Sequence, residues 1–183
     1  ERIVAAFSLD ARVAGAIGAG REDEIPPVHA LAATSDGYAL RFGFEAFVEP
    51  STRAGRRFAR PAPGAEVVGV ARVDGSETVI AATRQARAML CRASEINYLS
   101  GPGKGVILIK LNPKEDRLLG FIASAGDRDL MVVETSRGAQ QTISTAKYEV
   151  TGRGGKGREL LQRGQFTRIV PAEIAAPPPL NGN

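Results

Sequence analysis

One pattern recurs three times along this chain, at a spacing of roughly 50 residues, and it constrains the fold more than any other feature. Its anchors are Ala32-Ala33-Thr34, Ala81-Ala82-Thr83 and Val133-Glu134-Thr135. At matching offsets behind each anchor stand a large apolar or aromatic residue (Phe47, Ile96, Tyr148), a glycine-bearing basic loop (Gly55, Lys104, Lys156) and the opening of a new apolar strand (Val67, Leu118, Ile169). Arg2-Ile3-Val4 repeats the pattern of Arg117-Leu118-Leu119 and Arg168-Ile169-Val170. The chain therefore starts and ends in the same phase, with three units between. A period this long, made of short strands, implies radial β repeats: each unit is a small sheet that cannot bury its own faces and takes its core from its neighbours. The expected fold is all-β and propeller-like, with about three four-stranded blades in an open arc or partial ring. The blades are placed at residues 28–73, 78–123 and 129–170, and a strand at 2–9 completes the arc.

The local signals agree. Strand-like runs rich in Val, Ile and Leu, bounded by Gly, Asp, Pro or Ser, fall at 28–34, 38–42, 67–73, 78–83, 86–91, 105–111, 117–123, 130–135 and 139–143. Asp36-Gly37 is a strong hairpin signal and Arg137-Gly138 a weaker one. No helix of ordinary length is predicted, and 21 glycines and 11 prolines favour turns. Residues 11–27 read as a flexible insertion. Residues 171–183, with Pro177-Pro178-Pro179, read as a disordered tail.

Several function classes are disfavoured by composition. A single cysteine, Cys91, leaves no internal disulfide framework and fits a reducing compartment, here the cytoplasm. His29 is the only histidine, so a His-based metal cluster or a conventional catalytic triad has little to draw on. No apolar run is long enough to span a membrane. Asp127-Arg128-Asp129 reads as a solvated turn rather than a catalytic carboxylate pair. Neither Gly101–Gly105 nor Gly152–Gly157 has the Lys-Ser/Thr step of a nucleotide-binding loop. A small hydrolase is therefore a poor reading, and no catalytic or metal-binding residue is assigned. The chain begins at Glu1 without Met, which reads as a piece of a longer protein.

The charge is modest, 24 Lys and Arg against 20 Asp and Glu, so its placement matters more than its size. Gly152-Arg153-Gly154-Gly155-Lys156-Gly157 is followed by Arg158 and carries no side chain able to build a core. Glycines let such a backbone approach another surface, and the cations beside it suit a polyanion. Residues 51–63 hold Arg53, Arg56, Arg57 and Arg60 with no acid, and residues 84–92 hold Arg84, Arg87 and Arg92 with none. If the units are blades, equivalent loops take equivalent radial positions, and Arg53, Arg56, Arg57, Lys104, Arg153, Lys156 and Arg158 form a belt along one edge. A propeller that recruits a protein partner, its glycine loops serving only to turn the chain, is the alternative.

These residues carry a family resemblance. Leu130-Met131-Val132-Val133-Glu134-Thr135-Ser136-Arg137-Gly138, then Tyr148, then Gly152–Gly157 resembles a blade of the C-terminal β-pinwheel of the bacterial type IIA topoisomerase A subunit, found in DNA gyrase and topoisomerase IV. Gly101-Pro102-Gly103-Lys104-Gly105-Val106-Ile107-Leu108 and Thr34-Ser35-Asp36-Gly37 resemble the same blade in the other units, so the likeness covers about residues 1–170. Arg153-Gly154-Gly155-Lys156-Gly157 agrees with the glycine-rich box of the gyrase subunit, whereas Thr151 and Gly152 stand where that box has Gln and Arg. A topoisomerase IV-like subunit is thus as compatible as a gyrase-like one.

The resemblance implies a non-catalytic domain that binds and bends duplex DNA along its outer edge. It implies as partners the rest of the A subunit and an ATPase B subunit, with ATP and Mg used elsewhere in the parent enzyme and no cofactor in this chain. On this reading the DNA-binding residues are Arg53, Arg56, Arg57, Lys104, Arg153, Lys156 and Arg158, and the glycines shaping their loops are Gly55, Gly103, Gly105, Gly152, Gly154, Gly155 and Gly157. A location in the cytoplasm, with the nucleoid, follows from the same resemblance.

Overall fold

The computed structural model describes residues 3–10, 24–49, 51, 55–126 and 128–171. Among the described residues eleven strands follow one another: β1 His29–Thr34, β2 Tyr38–Phe42, β3 Val67–Val73, β4 Thr78–Thr83, β5 Arg87–Arg92, β6 Val106–Ile107, β7 Leu118–Ser124, β8 Met131–Thr135, β9 Gln140–Ile143, β10 Arg158–Glu159 and β11 Phe166–Val170. The helical content of the described residues is two short 3-10 turns, Glu45–Phe47 and Ala93–Glu95. The strands form three antiparallel sheets ordered β3-β1-β2-β6, β10-β5-β4-β7 and β11-β8-β9. The fold is an all-β open pinwheel, as the repeat implied.

The unit repeats closely at the turns. Gly37 N–H donates to Thr34 O at 2.9 Å, Ala86 to Thr83 O at 3.1 Å and Gly138 to Thr135 O at 2.9 Å. All three turn residues are left-handed, with φ of 84°, 56° and 79°, so the middle unit holds an alanine where its siblings use glycine.

Three apolar layers explain the burial pattern. One, including Leu31, Ala33, Val79, Ala81 and Met89, lies between the first and second sheets. Another, including Ile80, Ala82, Leu90, Val133 and Phe166, lies between the second and third. A third, with Ala32, Leu40, Phe42 and Phe44, covers the outer face of the first sheet. With both faces covered, β1 and β4 are buried at all six positions and show no alternation. The β8 strand is covered on one face, and its residues alternate between buried and half-buried.

The sequence units and the sheets are out of step. Val106–Ile107 leaves its own unit and adds to β2 of the first sheet, pairing with Ala39 and Tyr38. Arg158–Glu159 does the same one unit later, pairing with Ala88 and Arg87 of β5. The first addition is locked by Leu108 and Ile109 N–H to Gly37 O at 2.9 and 3.2 Å, and the second by Leu160 N–H to Ala86 O at 2.8 Å.

Three expectations are corrected. The third sheet has three strands rather than four among the described residues, because nothing there adds to β9. The strand expected at 105–111 shrinks to Val106–Ile107, since Leu108 and Ile109 turn from the sheet edge into the layer between blades. Residues 3–10 form no strand despite their likeness to β7 and β11. The edges that β7 and β11 use, on β4 and β8, are already filled. Most of the insertion at 11–27, and the tail beyond 171, lie outside the described residues.

Candidate functional site

One rim of the first two sheets is built where β6 and β10 are laid on as edge strands. Each of these strands starts from a left-handed glycine, Gly105 at φ +78° and Gly157 at φ +71°. A Cβ on Gly105 would run into the carbonyl of Ala39, and one on Gly157 would come 2.7 Å from the carbonyl of Ala88. Only glycine lets the incoming strand sit this close. Gly55, in the corresponding loop of the first unit, has φ +68°, but nothing lies within 4 Å of its would-be Cβ. Gly103 makes a parallel bridge to Ala59 and accepts from Arg60 N–H at 2.8 Å.

The glycine-rich loop of the third unit is fastened to the second. Gly154 N–H donates to Leu108 O at 2.7 Å, and Gly155 O accepts from Lys110 N–H at 2.8 Å. Gly152 takes φ +89° and packs beside the Glu95 carboxylate. Arg153 is the main clamp. Its Nε donates to Glu95 O at 2.7 Å, its Nη1 to Ile107 O at 3.3 Å, and its backbone N–H to Glu95 Oε2 at 3.3 Å.

The other cations are placed as follows. Lys104 is exposed, with Nζ 3.9 Å from the centroid of the Tyr38 ring and 4.0 Å from Asp36 Oδ2. Lys110, not singled out by sequence reasoning, is exposed and lines the same cavity of about 580 Å³ as Lys104 and Arg117. Lys110 also helps line an adjoining cavity of about 400 Å³ with Lys156 and Arg87. Lys104, Lys110 and Lys156 thus follow one another along the rim. Acids are interleaved: Asp36, Glu66 and Asp116 line the first cavity, and Glu115 and Glu159 the second. Arg87 is tied to Glu159 at 3.2 Å.

Arg158 is exposed and stands 5.7 Å from the Tyr148 ring, which Lys147 also approaches at 5.4 Å. Arg56 donates to the carbonyl of Ala46, and Arg57 lines a separate groove of about 310 Å³ with Phe58, Tyr98 and Pro102. These two are not among the residues that line the cavities holding Lys104 and Lys156. Arg53 lies outside the described residues. Lys110 was legible only as a residue of a strand-like run, because its place on the rim depends on β6 crossing to another blade.

A buried polar group joins the first two units. His29 Nδ1–H donates to Pro26 O at 2.8 Å, so Nε2 accepts from Arg41 Nη1 at 3.2 Å. Arg41, 6% exposed, donates from Nε to Ile96 O at 2.6 Å and from Nη2 to Ser94 O at 3.4 Å. Arg41 and Arg153 thereby grip residues 94–96 from two different units. Burial holds the His29 imidazole below its ordinary pKa against the Pro26 hydrogen bond, which raises it, and the Arg41 charge adds to the lowering. Cys91 is fully buried, and burial pushes its thiol up to about 12. Among the described residues no group of His, Cys, Asp and Glu could hold a metal, and no helix is long and apolar enough to cross a membrane.

Comparison with known proteins fits this architecture. The C-terminal domain of DNA topoisomerase IV superposes with a TM-score of 0.69 at 18% identity, over 84% of this chain and 49% of that one. The C-terminal domain of DNA gyrase A gives 0.65 at 16% identity, over 84% and 52%. The E. coli ParC C-terminal domain gives 0.58 at 15%, over 77% and 60%. At these identities the likeness is one of fold, and the chain spans about half the length of the first two domains. No curated protein matches the chain. A family model described as DNA gyrase C-terminal domain, beta-propeller, matches residues 29–74 and 77–125. That match takes in strands β1 to β7 and more than half of the chain, which therefore belongs to the DNA gyrase C-terminal domain family of beta-propellers.

Proposed function

We propose that this chain binds duplex DNA along its outer rim, as an accessory part of a type IIA topoisomerase A subunit acting with an ATP-dependent B subunit. The observation that carries the reading is the run of exposed Lys104, Lys110 and Lys156 along two adjoining cavities, at the rim where β6 and β10 are added. A duplex touching successive lysines on a convex rim must curve, and bending 20–30 bp by 40–90° costs roughly 1–6 kcal/mol. Neutralised phosphates offset that cost. Phosphate contacts carry no base information, so sequence preference is weak. The chemistry of strand breakage and ATP use belongs to other parts of such an enzyme, and the proposed role here is to hold and bend the duplex. Exposed Arg158 and Arg56 add further phosphate contacts.

The test is fluorescence anisotropy of a 40-bp duplex titrated with the chain over a series of salt concentrations. Affinity should fall with a log–log slope of about −0.9 per phosphate contacted. Replacing Lys156 by Ala should weaken binding and make the slope shallower by about 0.9. Absence of binding in dilute buffer would refute the proposal.

A further inference from the structure

Three positions in register run across each sheet and face the next blade. In the first sheet they are Gly69, Ala33 and Ala39, and in the second Gly120, Ala82 and Ala88. These small residues leave a dent that the following blade fills. The Phe121 ring comes 3.5 Å from a Cβ built on Gly69, and Ile169 comes 2.8 Å from one built on Gly120. In the third sheet the same row reads Arg168, Glu134 and Gln140. Arg168 Nη2 and Glu134 Oε2 form an ion pair at 2.7 Å with the arginine side chain 58% exposed. Gln140 is exposed, whereas Ala39 and Ala88 are buried.

The first blade shows the opposite character. Its outer face carries an aromatic layer in which Phe42 stacks on Phe58 at 4.7 Å. Beside it runs Gly55-Arg56-Arg57-Phe58, at the offset that elsewhere becomes the added edge strand, with Gly55 already left-handed and facing open space. A second copy could in principle lay this segment on β9 and stack its first blade on the third, which would extend head to tail without closing. Doing so would desolvate the Glu134–Arg168 pair and bury Gln140, both unfavourable.

We infer that the row Arg168–Glu134–Gln140 is a polar cap on the face of the third sheet, which keeps the first blade of a second copy from stacking there. Repeat arrays use polar faces of this kind to remain soluble. The cap works by size and charge at the positions where stacking needs Gly, Ala and Ala.

The test restores the stacking row with Arg168→Gly, Glu134→Ala and Gln140→Ala together. In sedimentation velocity up to several hundred micromolar, the unaltered chain should stay monomeric. The triple variant should show concentration-dependent association at least 10-fold tighter, with new hydrogen-exchange protection at both Arg56–Phe58 and Ala139–Gln141. If circular dichroism shows the triple variant unfolded, Glu134→Ala with Arg168→Ala carries the same test. The inference is overturned if the unaltered chain already associates through these two segments, if a folded variant remains monomeric, or if association protects neither segment.

Discussion

Gly157 lies so close to the backbone of Ala88 that a methyl group on it would stand 2.7 Å from the Ala88 carbonyl oxygen and 2.8 Å from Ile109 Cδ1. The left-handed φ of +71° adds a second reason for glycine. Gly157→Ala should therefore destabilise the chain by about 2–3 kcal/mol, from the backbone penalty plus overpacking. Gly55→Ala meets only the backbone penalty and should cost about 1 kcal/mol. Urea denaturation of the two variants side by side checks the difference. Equal losses would mean that β10 does not depend on this close approach.

Stability should fall as the medium turns acidic, because of His29. Its pKa in the folded chain is lowered, from an ordinary value of 6.5, by burial first and then by Arg41. Below that ordinary value the unfolded chain takes up a proton that the folded chain refuses, so stability is full above it and declines as pH drops through it. The hydrogen bond to Pro26, Glu77 and Asp74 act in the other direction. The melting temperature should drop between pH 7.5 and pH 5.5, and His29→Gln should flatten that part of the profile.

The thiol of Cys91 should be inert in the native chain. It is buried in the layer between the first two sheets, with its pKa pushed up to about 12 by burial and then by Glu95. Thiolate is the reactive form, so iodoacetamide should label the protein at the rate of global unfolding rather than at the rate of an exposed cysteine. Fast labelling in buffer would show that the blades separate readily.

Two cations of the same glycine-rich loop should separate by assay. Arg153 spends its donors on Glu95 O and Ile107 O, so Arg153→Ala should lower stability by about 1–2 kcal/mol. Any loss of DNA affinity in that variant should come without the shallower salt slope expected for Lys156→Ala. A thermal melt paired with binding at two salt concentrations distinguishes the roles.

The repeat was legible because its anchors are apolar strands and turn residues, which leave a local trace in the sequence. The turns at Gly37 and Gly138 announce themselves, and the matching turn at Ala86 is found only through its register with them. The edge strands were not legible as such. Arg158–Glu159 is two residues long and exposed at both, so it shows no periodicity to read. Val106–Ile107 begins a longer apolar run whose remainder turns into the core. Arg153 looked like a free cation because its partners Glu95 and Ile107 sit in a different unit. Arg41 reads as an ordinary strand arginine, and nothing near it in sequence reveals the carbonyls of Ser94 and Ile96 that bury it. In each case the missing information was a contact made across units.

The crossing of β6 and β10 makes these blades inseparable by any simple cut. Deleting 78–124 would remove the second sheet's core and also strip Val106–Ile107 from the first. Reduplication of one sequence unit, on the other hand, supplies in a single event a new sheet and the lath that seals its predecessor. An array built this way can lengthen by whole units while every interior joint stays braced from both sides.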